Sequence, residues 1–306
     1  MGYGSGFGKV ILFNEHFVVH GIPAIVSAIS MSTTATAERI KGDFEFIDDR
    51  MATPGYKDEK MDHQRDSLKY IFQAMDLEQD NVKIRLAGDL YAASGVGASA
   101  ASCAAIARAL SDEFDLNYAD DEINRVAYEG ERGYHGSPSG IDNTAATFGG
   151  LIWFQKGETN VMERMNLREP VNIVMGNTGV VANTKAAVAG VQERKESFPE
   201  KYDKIFRSAE ELAHRGRDAI KAFDLPKIGK LMDENHGLLQ DIEVSNDDLD
   251  LLVNLAREQG ATGAKMTGGG LGGYMVALTP EKEVQESVAS AIEKKGFKVL
   301  RTQIGI

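Results

Sequence analysis

Short runs of β-branched and apolar residues alternate along this chain with longer stretches of helical spacing. KVILF (residues 9–13), the alternating STTATAERI (32–40) and residues 43–47 predict strands. Residues 48–62, with Pro54 and Gly55, predict a loop. Leu68, Ile71, Phe72 and Met75 have the spacing of one helix face, and VKIRL (82–86) is again strand-like. A segment almost bare of side chains, SGVGASAAS (94–102), follows and continues as a helix through Ala109. A helix over residues 120–132, the loop GYHGSPSGID and the strand LIWF (151–154) complete the first half. VNIVM (171–175) is a strand, and charged helices dominate from Thr184 to about Gln259. The glycine run GGGLGG leads into the strand YMVAL, a helix over 280–295 and a last strand, FKVLRT. Strand-rich α+β gives way near residue 165 to helix-rich α+β, which predicts two domains, 1–165 and 166–306.

The 306 residues suffice for two domains with separate cores, and 42% hydrophobic with 26% charged residues is a soluble globular composition. A net charge of −12 argues against nucleic acid and anionic membranes as partners. It also means that an anionic substrate must be held by local positive groups or a metal. The single cysteine, Cys103, excludes an internal disulfide and a multi-cysteine metal site, and reads as a small buried residue in a reducing compartment. Residues 16–37 lack charged side chains, but His16, His20, Gly21, Pro23 and several hydroxyls make them too polar to span a membrane. Lys9 and Glu15 stand where a signal peptide would be apolar, and Gly6 where a myristoylation signal needs a hydroxyl, so a cytoplasmic protein is expected.

The bare segment admits two readings. Gly95 to Ala100 fits the dinucleotide pattern G-x-G-x-x-A, but no apolar strand precedes the acids Asp112, Glu113 and Asp115. A Walker A loop is absent, since Gly8-Lys9 is followed by Val10 and position 3 is tyrosine. What remains is a glycine-rich turn that aims backbone N–H groups at an anion, or close helix packing through Gly and Ala. The residues alone support both. His16 and His20, with Glu15 adjacent, would converge on zinc only from a helix, and FVVHGIP is a poor helix interior. Asp142, after Pro138 and Gly140, suits a turn or cap; Glu131 and Arg132 suit a solvated helix end.

Taken together, these stretches have a common resemblance. KVILFNEHFVVHG resembles the first motif of the GHMP kinases, K-x-x-L-x-G-E-H; SGVGASAA their phosphate loop, G-L-G-S-S-A; and GAKMTGGGLGG their glycine-rich third motif. Within that superfamily EGERGYHGSPSGIDN is similar to the mevalonate kinase pattern E-x-E-R-x-x-H-G-x-P-S-G-x-D-N, and NTKAAVAGV (183–191) to N-T-[KR]-x-x-V-x-x-V. The resemblance spans residues 9 to 273 in order. Asn14 and Leu271 replace family glycines, Ala98 a loop serine, and Tyr91 a proline. Ala98 removes a hydroxyl but no backbone N–H, and Asn14 tolerates left-handed backbone better than most residues.

The resemblance implies an α+β, two-domain GHMP kinase fold. Its N-terminal part is a ribosomal-protein-like α/β domain with a left-handed β-α-β element, its C-terminal part is ferredoxin-like, and the active site lies between them. It implies ATP-dependent phosphorylation of the C5 hydroxyl of mevalonate. Backbone amides of Gly95, Val96, Gly97, Ala98, Ser99 and Ala100 would cradle the phosphates, with Ser99 and Glu131 on Mg²⁺. Lys9 would stabilise the transferring group, and Asp142 would take or orient the hydroxyl proton. Glu15 and His16 would face mevalonate, with Thr184 a further polar contact. The implied partners are mevalonate and ATP, with neither nucleic acid nor membrane; a homodimer is left open. A phosphomevalonate, homoserine or sugar kinase is the alternative, against which HGSPSGIDN argues. Lys9, Glu131 and Asp142 argue against a non-catalytic sensor.

Overall fold

Two strands outrun their sequence patterns: β1 covers Gly2–Phe13 and β2 covers Ala24–Arg39. Both pass from one unit of the chain into another. Unit one consists of Met1–Lys9 and Ala28–Gly149, and unit two of Val10–Ser27 and Gly150–Ile306. The computed structural model describes residues 1–92, 95–182 and 184–306. Ser94, which opens the bare segment, and Asn183, which opens NTKAAVAGV, lie outside the described residues.

In unit one, β1 and β2 are followed by β3 (Glu45–Asp48), α1 (Tyr56–Glu59), α2 (Met61–Ala74) and β4 (Val82–Gly88). Then come α3 (Ala98–Glu113), α4 (Asp120–His135) and α5 (Ile141–Phe148). β4 pairs antiparallel with β2, Thr33 opposite Gly88, and parallel with β3, Glu45 opposite Lys83. β3, α2 and β4 therefore form the expected β-α-β element. Their apolar faces meet α3 and α4 in one core, through Ala35, Ile71, Phe72, Ile84, Ile106 and Val126. The loop expected over 48–62 instead contains α1 and the start of α2. A turn at Gly140 begins α5 inside the predicted loop GYHGSPSGID.

Residues 2–8 carry no strand signal, because alternate glycines have weak strand propensity. Tertiary packing explains them. A Cβ placed on Gly2, Gly4 or Gly6 would lie 2.2, 2.3 and 2.3 Å from the carbonyl oxygens of Ala109, Ala105 and Ala101. β1 thus lies backbone to backbone along one face of α3, and most of that helix is buried.

Unit two contains the ends of β1 and β2 and a short 3-10 helix, His16–His20. It continues with β5 (Leu151–Gln155), β6 (Val161–Met165), β7 (Val171–Asn177), α6 (Thr184–Ser197), α7 (Pro199–Ala222), α8 (Leu225–Asp241) and α9 (Asp247–Glu258). β8 (Gly263–Thr267), β9 (Tyr274–Leu278), α10 (Lys282–Lys294) and β10 (Lys298–Ile304) complete it. The long helical stretch is divided by Pro199 and by the caps Asp224 and Asn246, whose side chains accept from Lys227 N and Leu249 N. Strands β10, β7, β9 and β8 lie side by side in that order, all antiparallel. With helices between β7 and β8 and between β9 and β10, this is the ferredoxin-like order the resemblance implied. Its core gathers Phe17, Val174, Leu252, Met266, Met275 and Ile292. Neither β6 nor β8 was expected. β6 is mostly exposed, and β8 is a buried five-residue run with a lysine at its centre. Among the described residues no helix is long and apolar enough to cross a membrane.

Candidate active site

The two readings of the bare segment occupy different parts of it. From Ala101 onward α3 is packed against the glycines of β1. Ahead of that point the chain turns through Gly95 and Gly97, with φ of 95° and 71°, and Gly97 is the residue from which α3 starts. A Cβ on Gly97 would lie 2.6 Å from Lys9 Cγ, so this position needs glycine for room as well as for its left-handed backbone. Lys9 N–H donates to Val96 O at 2.9 Å, tying the loop to β1. The first-turn amides of Ala98, Ser99 and Ala100 have no carbonyl one turn earlier to bond within the helix, and the positive end of the helix dipole adds to their attraction for an anion.

Lys9, the last residue of unit one before the chain crosses, has a buried side chain whose Nζ lies 3.1 Å from Asp142 Oδ1. Asp142 is in the first turn of α5, which among the described residues has no side-chain cap; Thr144 Oγ1 donates back to Gly140 O at 2.6 Å. The Asp142 carboxylate faces the lysine. Glu131 is no solvated helix end: it is buried on α4, where Gly130 lets the helix approach Cys103 and Ile71. Its carboxyl meets the Ser99 hydroxyl, and Oε2 lies 3.7 Å from His135 Nε2. Oε1 has no hydrogen-bond partner among the described residues. Burial, then the Asp142 charge, pushes this carboxyl up to about 8, against the opposing effects of Ser99 and Lys9.

A buried carboxyl with an orphaned oxygen beside a hydroxyl is a hard-oxygen set that fits Mg²⁺, which keeps much of its shell as water or phosphate. Among the described residues no group of three or more His, Cys, Asp or Glu is arranged to hold a metal alone. A cavity of about 560 Å³ opens beside Ala98 and Ser99, walled by Phe44, Phe46, Tyr56, Leu68 and Tyr134. Its aromatic lining suits a flat heterocycle.

Unit two holds the other candidates. Glu15 is buried and ion-paired with the equally buried Lys265, which also donates to Met266 O at 2.6 Å. Burial raises the Glu15 carboxyl and lowers the Lys265 ammonium from their ordinary values. Glu15 Oε2 has no hydrogen-bond partner among the described residues, nor has either ring nitrogen of buried His16. Burial lowers His16 to about 4, so the ring is neutral. It lies against Gly270, and Thr184 Oγ1 against Gly269, both in the third glycine-rich motif. His16 and His20 lie on a 3-10 helix, where a spacing of four does not share a face, and His20 instead packs edge-on against Phe206.

Asn14, standing where the family has glycine, adopts the left-handed backbone that asparagine tolerates, φ 69°. Its side-chain amide donates to Pro23 O and Ala209 O, both at 2.8 Å, while its N–H donates to Asn235 Oδ1 at 3.1 Å. Sequence reasoning missed Asn235 and Lys265. A lysine alone in the apolar run of β8 was the available signal for the second.

The model for the GHMP kinases N terminal domain matches residues 65–150, and the GHMP kinases C terminal model matches 217–298. The mevalonate kinase of Thermococcus sibiricus is 35% identical over 98% of this chain and 95% of its own length. That of Pyrococcus abyssi is also 35% identical, over 98% of this chain and 94% of its own. The crystal structure of L. major mevalonate kinase in complex with R-mevalonate superposes with a TM-score of 0.95 at 35% identity, covering 99% of this chain and 96% of that one. A Methanococcus jannaschii mevalonate kinase, 22% identical with a TM-score of 0.82 and covering 99% and 98% of the two chains, shares the fold. The chain belongs to the GHMP kinase family, among the mevalonate kinases.

Proposed function

We propose that this chain transfers the γ-phosphoryl group of ATP to the C5 hydroxyl of mevalonate. The observation that carries the reading is the Lys9–Asp142 pair, 3.1 Å apart, with the Glu131 carboxyl near enough to feel both charges. Phosphoryl transfer needs positioning and charge neutralisation more than covalent chemistry. Asp142 accepts or orients the proton of the attacking hydroxyl, and Lys9 stabilises negative charge on that oxygen and on the group in transfer. Backbone amides from Gly95 to Ala100 receive the phosphates, and the aromatic cavity beside Ser99 receives the nucleoside. Ser99 and Glu131 would hold Mg²⁺, which when bound neutralises phosphate charge. In unit two, His16 and Thr184 offer polar contacts to mevalonate, and Glu15, held by Lys265, offers Oε2.

In this reading the unit of residues 1–9 and 28–149 serves nucleotide binding and catalysis, and the unit of residues 10–27 and 150–306 carries the third glycine-rich motif, in a cytoplasmic enzyme. The test is a coupled ADP-release assay with mevalonate, phosphomevalonate, homoserine and galactose in parallel. Turnover with mevalonate above the others is expected. Preference for another acceptor, or ATP binding without turnover on any, overturns the reading.

A further inference from the structure

Arg50 lies in the stretch that the sequence presents as a loop, yet its side chain is buried. The guanidinium holds the Asp48 carboxylate bidentately along one edge, Nε to Oδ1 at 2.9 Å and Nη2 to Oδ2 at 2.8 Å. Nη1 reaches the start of α3: Ser102 Oγ at 2.6 Å, Ala98 O at 3.2 Å, and Thr33 Oγ1 of β2 at 3.3 Å. Ser102 Oγ itself donates to Ala98 O at 2.7 Å. One carbonyl in the first turn of the helix thus takes two side-chain donors.

That carbonyl shares a trans peptide with the N–H of Ser99, and the two groups point in opposite directions from one rigid plane. Holding Ala98 O on Arg50 and Ser102 fixes the direction in which the Ser99 amide points. A cation beneath a helix N-terminus opposes the helix dipole, and a buried ion pair seldom exceeds apolar packing in stability. Stability alone therefore does not explain an arginine here. Asp48 neutralises it, and Lys57 Nζ steadies the same turn by donating to Asp48 O at 2.7 Å. Arg50 also lines the aromatic cavity together with Ser99.

We propose that Arg50, oriented by Asp48, is a positioning residue that aims the Ser99 amide at the nucleotide phosphates, acting through the Ala98 carbonyl and Ser102. The proposal rests on the reading that this loop binds ATP.

The test compares the parent with Arg50→Lys, Arg50→Ala and Ser102→Ala. Calorimetry gives the Kd of MgATP, steady-state kinetics the KM for mevalonate, and thermal melting the fold. Lysine keeps the charge but cannot span Asp48, Ala98 and Ser102 together. Arg50→Lys is expected to weaken MgATP about tenfold or more while the mevalonate KM stays within about twofold. Ethylguanidinium added to Arg50→Ala should recover part of the MgATP affinity, and ethylamine should not. Ser102→Ala favours the helix, leaves the Nε and Nη2 bonds of Arg50 to Asp48 in place, and removes both the Oγ that donates to the carbonyl and the Nη1 partner of Arg50; about a threefold weakening is expected.

A folded Arg50→Lys with parental MgATP affinity overturns the proposal, as does a parallel rise in both constants, which marks general loosening. Should the Arg50 variants not fold, unchanged affinity in Ser102→Ala overturns it. Failure of the parent to bind MgATP would instead remove the phosphate-loop reading, before any variant is compared.

Discussion

Lys9 Nζ and Asp142 Oδ1 lie 3.1 Å apart, the lysine side chain 6% exposed and the aspartate 29%. The ion pair joins a strand to the first turn of a helix more than a hundred residues away. It leaves Asp142 partly open, as a group that must meet a substrate has to be. Asp142→Asn keeps the shape but removes the charge. A capping role would leave rate and stability near normal. The catalytic role predicts a fall in kcat of about a hundredfold or more. Because Lys9 loses its partner, stability should also fall by about 1–3 kcal/mol. The purified variant's kcat and melting temperature check both, and a folded variant retaining more than about a tenth of the parental kcat sinks the assignment.

Glu131→Gln keeps the shape of a buried carboxyl whose Oε1 has no hydrogen-bond partner among the described residues, but withholds the negative charge that this carboxyl would carry once Mg²⁺ displaced its proton. The expected outcome is a Mg²⁺ requirement raised about tenfold at fixed ATP, with a large loss of turnover. A magnesium titration identical to the parent's would return Glu131 to a purely structural role.

Gly4 tests the packing half of α3. A methyl there would meet Ala105 O at 2.3 Å and Ala109 N at 2.6 Å, both backbone and unable to yield cheaply. Gly4→Ala should lose about 3 kcal/mol in urea unfolding. An unchanged midpoint would mean that β1 does not lie against the helix as described.

His16 and His236 are both held neutral by burial, down to about 4 from the ordinary 6.5. Unfolded imidazoles take protons as pH falls below about 6.5, while these two resist until about 4, so acidification across that window favours unfolding. Urea midpoints should fall from about pH 6.5 toward 4, and less steeply in a His16→Asn, His236→Gln double variant. Equal slopes would exclude these histidines as the source.

Leu271 stands in the third glycine-rich motif with φ 55°, 41% exposed. Its N–H is tied to Val244 O at 2.8 Å. A left-handed backbone costs a side chain such as leucine about 1–2 kcal/mol, and the exposed side chain recovers little. Leu271→Gly should therefore stabilise the chain by about 1 kcal/mol, while Leu271→Ala should change little. A destabilised glycine variant would mean the leucine makes a contact worth more than its strain.

What the chain spelled out locally was legible without coordinates. Alternation gave strands such as β4, helical spacing gave α2 and α4, and short motifs marked Lys9, the loop at Gly95–Ala100, Glu131 and Asp142. The strand and helix signals rest on periods of two and 3.6 residues and on turn chemistry, which neighbouring residues impose on one another, whereas the site residues were singled out only by resemblance to the family's motifs. Tertiary structure decided what depends on residues distant in sequence. The glycines of β1 form a strand because α3 needs its backbone close. Arg50 and Lys265 are buried because Asp48 and Glu15 neutralise them, and the Asn14 amide finds Asn235 across 221 positions. The bare segment required both levels, since its residues permitted either packing or phosphate binding. Only the arrival of β1 along Ala101, Ala105 and Ala109 assigned packing to the body of the helix and left its first turn free to meet a ligand.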